Sequence, residues 1–129
     1  MATIKQVSLG VNDDKRASRF WRQALGYVQR PPRYEEDDWI VLEPPPGASG
    51  VAIAMDVSES PAEAFPRIHF DLDAGDRDLE DEVDRLVALG ARPVDWPHYP
   101  ETPPPGARPY VVLADPEGNR FCVEGRRRS

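Results

Sequence analysis

Arg67-Ile68-His69-Phe70-Asp71-Leu72 alternates apolar and polar residues with period 2. Read as a strand, it sends Ile68, Phe70 and Leu72 to one face and His69, Asp71 and Asp73 to the other. A half-buried strand usually turns its polar face to water. Here that face carries an imidazole and a carboxylate two residues apart. Ile4-Lys5-Gln6-Val7-Ser8-Leu9-Gly10-Val11 alternates in the same way, with Gln6 and Ser8 opposite Val7, Leu9 and Val11. Gln6 precedes His69 by 63 positions. The chain reads as one unit written twice, with a polar pocket between the copies.

The segments between these strands support the repeat. After the first strand, Asn12-Asp13-Asp14 offers helix N-caps. Ala17, Phe20, Trp21, Ala24 and Leu25 then form one apolar stripe at helical spacing, and Gly26 ends it. That spacing makes Phe20-Trp21 core packing rather than a ligand box. Further strands are expected at Tyr27–Arg30, Trp39–Leu42 and Val51–Asp56, with Pro44-Pro45-Pro46-Gly47 as a turn. Residues 57–66, rich in Ser, Pro, Glu and Ala, read as a linker. Beyond the His69 strand, Asp76 is the expected cap of a second helix, whose inner stripe is Leu79, Val83, Leu86, Val87 and Gly90. Its acidic first half suits the helix dipole and faces solvent. Strands at Arg92–Trp96, Tyr110–Ala114 and Asn119–Glu124 complete the second copy. Asp115-Pro116-Glu117-Gly118 has type I turn chemistry. Ala24-Leu25-Gly26 returns as Ala88-Leu89-Gly90, so the order is βαβββ twice.

This pattern predicts an α+β domain spanning 1–129. Its modules lie at about 4–56 and 67–124, a curved mixed sheet forms a cup, and the helices lie outside. Composition narrows the function. At 129 residues, 40% hydrophobic and 30% charged, the chain suits one soluble domain with a real core. A net charge of −7 argues against a nucleic-acid partner. The short basic tail Arg126-Arg127-Arg128 reads as a solvated end. No apolar run is long enough for a membrane, and the start lacks a secretory signal. One cysteine excludes an internal disulfide and suits the cytoplasm.

A cup points to a small organic molecule as partner. Period 2 turns Gln6, Ser8, Ala54, Asp56, His69, Asp71, Arg120, Cys122 and Glu124 into it. The Pro-rich loop 97–109, with Trp96, His98, Tyr99 and Tyr110 around it, is a candidate lid. His69 is the candidate catalytic group, since an imidazole works as a base near neutral pH. Gln6, Ser8, Asp56, Asp71, Trp96, His98, Tyr110, Cys122 and Glu124 are the candidate ligand contacts.

The βαβββ repeat, Arg19-Phe20-Trp21 with Leu25-Gly26-Tyr27, and Asp115-Pro116-Glu117-Gly118-Asn119 resemble the vicinal oxygen chelate superfamily. That group includes glyoxalase I, extradiol dioxygenases, fosfomycin-resistance enzymes and bleomycin-binding proteins. His69-Phe70-Asp71-Leu72 and Phe121-Cys122-Val123 are similar to its small glyoxalase-like domains. The resemblance covers about residues 4 to 124, and it implies a homodimer as a partner state. The family's metal positions fall on Gln6, Ala54, His69 and Cys122. Alanine binds no metal. Asp56 and Glu124 lie one step further along, about 6.6 Å away, beyond what a metal site tolerates. The reading is therefore a metal-free small-molecule binder of the bleomycin-resistance type. One alternative is a lyase, isomerase or dioxygenase with one divalent metal on Gln6, His69 and Glu124. Another is a metal-free enzyme with His69 as acid–base.

Overall fold

The computed structural model describes residues 1–36 and 39–129. The chain divides into two compact units, Met1–Pro61 and Ala62–Ser129.

The first unit runs β1 (Gln6–Val11), α1 (Asp14–Leu25), β2 (Val28–Gln29), β3 (Val41–Glu43) and β4 (Ala52–Val57). Asp13 caps α1, its carboxylate accepting the Arg16 N–H at 3.1 Å. Gly26 closes it at φ 68°, a left-handed conformation that costs glycine little. The stripe Ala17, Phe20, Trp21 and Ala24 is buried. The Phe20 and Trp21 rings meet edge to face, 5.1 Å apart, so the aromatic pair belongs to the core. With α1 packed on β3 and β4, that core also holds Val41, Leu42, Ile53 and Met55. The sheet order is β1-β4-β3-β2, with β1 parallel to β4 and the other pairs antiparallel. Simple alternation fails on β4. Ala54 is as buried as Ile53 and Met55, whereas Val51 is exposed. Consecutive residues point to opposite faces, so both faces of the strand are buried at mid-length.

The second unit repeats this plan with β5 (Asp71–Asp73), α2 (Leu79–Leu89), β6 (Arg92–Pro93), β7 (Tyr110–Ala114) and β8 (Arg120–Glu124). Its order is β5-β8-β7-β6, again with only the first pair parallel. The registers match too. Ser8 opposes Ala54 in the first sheet, and Asp71 opposes Cys122 in the second. Leu79, Leu86, Leu113, Phe121 and Val123 form its core. Asp115 is fully buried at the β7–β8 turn, where its carboxylate accepts the Glu117 and Asn119 N–H groups at 2.9 and 2.8 Å. The sheets are open, and the architecture is a two-module α+β fold, as the repeat requires.

Several expectations are corrected in the second unit. The His69 strand begins at Asp71, not Arg67, and Ile68 is 81% exposed instead of facing the core. β5 is an edge strand paired only with β8. The bond from the Cys122 N–H to the Phe70 carbonyl, 2.9 Å, extends that pairing one step upstream. The sixth strand stops at Pro93 instead of reaching Trp96. Val87 leaves the inner stripe of α2 for solvent.

Asp78, not Asp76, precedes α2, and its side chain makes no capping bond. The arginine tail does that work and is not merely solvated. The Leu79 N–H donates to the Arg126 carbonyl at 2.8 Å. The Arg126 side chain reaches the Asp78 carboxylate at 3.1 Å and the Asp76 carbonyl at 2.7 Å. Arg127 and Arg128 pair with Glu80 and Asp81. The tail thus satisfies a helix terminus that would otherwise leave donors orphaned. Among the described residues, no helix is long and apolar enough to cross a membrane.

Candidate functional site

β8 supplies the base of the site. Its alternation buries Phe121 and Val123 and turns Arg120, Cys122 and Glu124 to the opposite face. The pairings place Tyr110 beside Glu124, Val112 beside Cys122 and Asp71 beside Cys122. These side chains, with His69, Pro66 and Trp96, line a cleft of about 330 Å³ within the second unit.

Trp96 forms one wall. Its ring lies 5.2 Å from that of His98 and 5.6 Å from that of Phe65. Phe65 and His98 are themselves 5.3 Å apart. The Arg120 guanidinium stands over the Phe65 ring, 5.9 Å from its centroid. The Trp96 indole N–H is enclosed and has no acceptor among the described residues. Buried donors are nearly always satisfied, so this one stands out among the groups that line the cleft. At the other end Tyr99 packs on Tyr110, and its hydroxyl oxygen accepts the Val112 N–H at 2.8 Å. Tyr99 thereby holds the start of the Pro-rich loop on β7.

The polar floor is a small network. His69 Nε2 lies 3.1 Å from Asp71 Oδ1. The Cys122 sulfur also lies near the Asp71 carboxylate, within 4.8 Å. Burial above all, then the negative charge and hydrogen bonding of Asp71, pushes that thiol up to about 11. Cys122 is therefore protonated near neutrality and is no activated nucleophile. Glu124 is held apart from this network by Arg108, 3.4 Å away, which binds Asp73 more closely at 3.0 Å. That hydrogen bond from Arg108, with another from the Gly75 N–H, holds the Asp73 carboxyl below its usual range.

Of the residues expected to bind ligand, this cleft gathers His69, Asp71, Trp96, Tyr110, Cys122 and Glu124. His98 supports Trp96 from the side. Gln6, Ser8 and Asp56 belong to the first unit. Gln6 opposes Ala52, Ser8 opposes Ala54, and Asp56 lines a hollow of about 230 Å³ with Asp14, Trp39 and Met55. Phe65 sits in the Ser/Pro/Glu/Ala linker, where no periodic pattern points to it. A lone aromatic in such a stretch is the signal that would have found it. Arg120 lies on the face that alternation gives it, and its partner ring comes from that linker.

Donor chemistry decides which cation suits these residues. Ligand atoms of His69, Asp71 and Cys122 lie within 4.8 Å of one another. Two of the three are nitrogen and sulfur donors, which match zinc-class ions. Manganese and magnesium prefer all-oxygen surroundings.

The fold and this site have relatives. A family model described as a glyoxalase-like domain matches residues 6–124. No protein with a curated description resembles the chain at a significant level. Among solved structures, a mutant of the fosfomycin resistance protein FosX from Listeria monocytogenes, complexed with Mn(II) and 1S,2S-dihydroxypropylphosphonic acid, is 16% identical. The match covers 96% of this chain and 90% of that one, with a TM-score of 0.69. TnmS3, an antibiotic binding protein from Streptomyces sp. CB03234, is 17% identical over 98% of this chain and 97% of its own, with a TM-score of 0.60. A glyoxalase/bleomycin resistance protein/dioxygenase family enzyme from Burkholderia phytofirmans PsJN is 19% identical over 96% and 98%, with a TM-score of 0.65. At such identities the likeness is one of fold. The family match, extending from the first strand to the last, places this chain in the glyoxalase-like domain family of the vicinal oxygen chelate superfamily.

Proposed function

We propose that this protein binds a small organic molecule in the cleft of its second unit and releases it unchanged. The observation that carries this reading is the enclosed Trp96 N–H in a wall of rings, beside a floor of charged groups. At about 330 Å³ the cleft suits a compact ligand, near the lower end of small-molecule sites. Trp96 and Tyr110 offer ring faces to an aromatic or apolar body. The indole N–H meets an acceptor, and Asp71, Glu124 and Arg120 sort the ligand by charge. Binding of this kind needs no resident cofactor. The antibiotic-binding neighbour adds support by analogy of fold.

The His69–Asp71 contact favours a second reading, an acid–base enzyme in which the carboxylate orients the imidazole. It predicts turnover that survives chelators and is lost in His69→Ala.

Ligand-observed NMR with a library of small aromatic acids, amines and phosphonates separates the two. The binding reading expects saturable binding of at least one compound, recovered chemically intact and weakened about tenfold or more by Trp96→Ala. Conversion of a bound compound overturns that reading in favour of the enzyme. Binding indifferent to Trp96 overturns the cleft assignment.

A further inference from the structure

We propose that the Pro-rich loop encloses a second binding pocket against β7 and the arginine tail. It takes an apolar organic acid, a ring or alkyl body with one carboxylate, held by the guanidinium of Arg127. The pocket lies wholly within the second unit and apart from the cleft, and the inference does not depend on the reading of the cleft.

The space is larger than the cleft and already built. At about 600 Å³ it falls in the middle of the range for small-molecule sites. Tyr99 fixes the start of the loop, through its ring contact with Tyr110 and the bond from the Val112 N–H. The Ala107 N–H donates to the Pro104 carbonyl at 3.1 Å and turns the chain back. The Gly125 N–H donates to the Pro109 carbonyl, also at 3.1 Å, and fixes the end. Prolines lock φ between these anchors. A wall held this way loses little freedom when a ligand enters, and that raises affinity. Tyr99, Tyr110, Pro103 and Pro104 give the pocket its apolar lining.

Charge sets the sign of the ligand. Among the described residues that line the pocket, the charged ones are Arg108 and Arg127, and none is acidic. The cleft is the opposite case, with Asp71 and Glu124 on its floor.

The two arginines are not equivalent. Arg108 is committed to Asp73 at 3.0 Å and to Glu124 at 3.4 Å. The backbone around Arg127 is clamped on both sides. The Leu79 N–H donates to the Arg126 carbonyl at 2.8 Å, and the Arg128 N–H donates to Glu80 at 2.9 Å. The Arg127 guanidinium itself meets Glu80 at 3.5 Å, through one nitrogen and at the outer limit of a hydrogen bond. Most of its donors remain for a ligand. A planar fork of N–H groups matches a carboxylate with two parallel bonds. One loosely paired guanidinium suits one negative charge. A phosphate dianion would bring a second charge towards Asp73, Glu80 and Glu124 with no cation to meet it.

The test uses the full untagged chain and three acids, 2-naphthoate, 4-phenylbutyrate and decanoate, each beside its neutral amide. Isothermal titration measures affinity, and amide proton–nitrogen NMR locates the ligand. We expect at least one acid to bind saturably, one per chain, about tenfold or more tighter than its amide. It shifts the Ala107, Val111 and Arg127 amides and leaves the Trp96 indole and the Cys122 amide in place. Raised salt weakens the acid and spares the amide. Arg127→Ala abolishes the preference for acid over amide. Ala107→Trp fills the pocket and blocks both; it keeps every charge and the tail strap, so loosening of the tail in Arg127→Ala does not decide the matter. Four outcomes overturn the proposal: no acid binds better than its amide, the preference persists in Arg127→Ala, binding is untouched by Ala107→Trp, or the shifts centre on Trp96 and Cys122. The last would put the acid in the cleft and support the reading of that site while removing this one. The other three leave the cleft reading standing, since Trp96→Ala tests it separately.

Discussion

Cys122 stands opposite Asp71 across the parallel β5–β8 pair, with its sulfur within 4.8 Å of the carboxylate. With the thiol pushed up to about 11, roughly one molecule in a thousand carries a thiolate at pH 8, against a tenth or more for an ordinary cysteine. Iodoacetamide is therefore expected to modify the native chain about a hundredfold more slowly than the urea-unfolded chain. Asp71→Asn removes the negative charge and speeds the native reaction. Equal native and unfolded rates would show that the thiol is not held protonated.

The buried Phe20–Trp21 pair makes α1 the anchor of the first unit's core. Phe20→Ala is expected to cost about 3–5 kcal/mol through lost burial and the cavity left behind. Urea unfolding followed by circular dichroism measures it. A loss under about 1 kcal/mol would mean that the ring is not core.

Asp115 is buried yet accepts two backbone N–H groups, so its worth is as an organiser of the β7–β8 turn. Asp115→Ala leaves both donors unsatisfied and is expected to destabilise the chain by about 2–4 kcal/mol. Asp115→Asn keeps one acceptor oxygen and costs less. The order of the two denaturation midpoints checks the assignment.

The tail strap gives a prediction with a pH sign. Glu80 is held below the ordinary carboxylate range by backbone hydrogen bonds, its own and one from Arg128, aided by Arg127. A carboxyl depressed in the folded state adds stability above its unfolded value, near 4.5, and loses it as pH falls through the folded value. Replacing residues 126–128 by alanine is expected to lower the melting temperature at pH 7. The difference shrinks in acid, as Glu80 and its neighbours protonate, and at high salt, because the pairs are exposed. A difference unchanged from pH 7 to pH 3 would assign the effect to the Leu79–Arg126 backbone bond instead.

Most of the fold is legible in the sequence because the physics behind it is local. The stripe of α1, its Asp13 cap and the left-handed Gly26 all follow from neighbours three or four residues apart. The Asp115 turn behaves likewise. What escapes is decided at a distance. Asp76 resembles a cap until Arg126, remote in sequence, supplies the bond to Leu79. Ile68 fits an alternating strand but lies upstream of the paired residues on a sheet edge. In the site, alternation finds Asp71, Cys122 and Glu124, since β8 keeps strict period 2. It has no means of finding Phe65, which reaches Trp96 and Arg120 from a linker.

The strand orders carry a consequence for synthesis. In each sheet, the strand that comes last in the chain lies inside, β4 between β1 and β3 and β8 between β5 and β7. As the chain leaves the ribosome, the Met1–Pro61 unit has all its strands while the second is still being made, consistent with folding from the N-terminus. The second must wait. Until β8 emerges, Asp71 and Leu72 have no strand to pair with, and α2 lacks the tail that caps it. A nascent chain halted just short of Arg120 would carry a finished first unit and an open-edged remnant, the kind of species that chaperones bind and proteases clear.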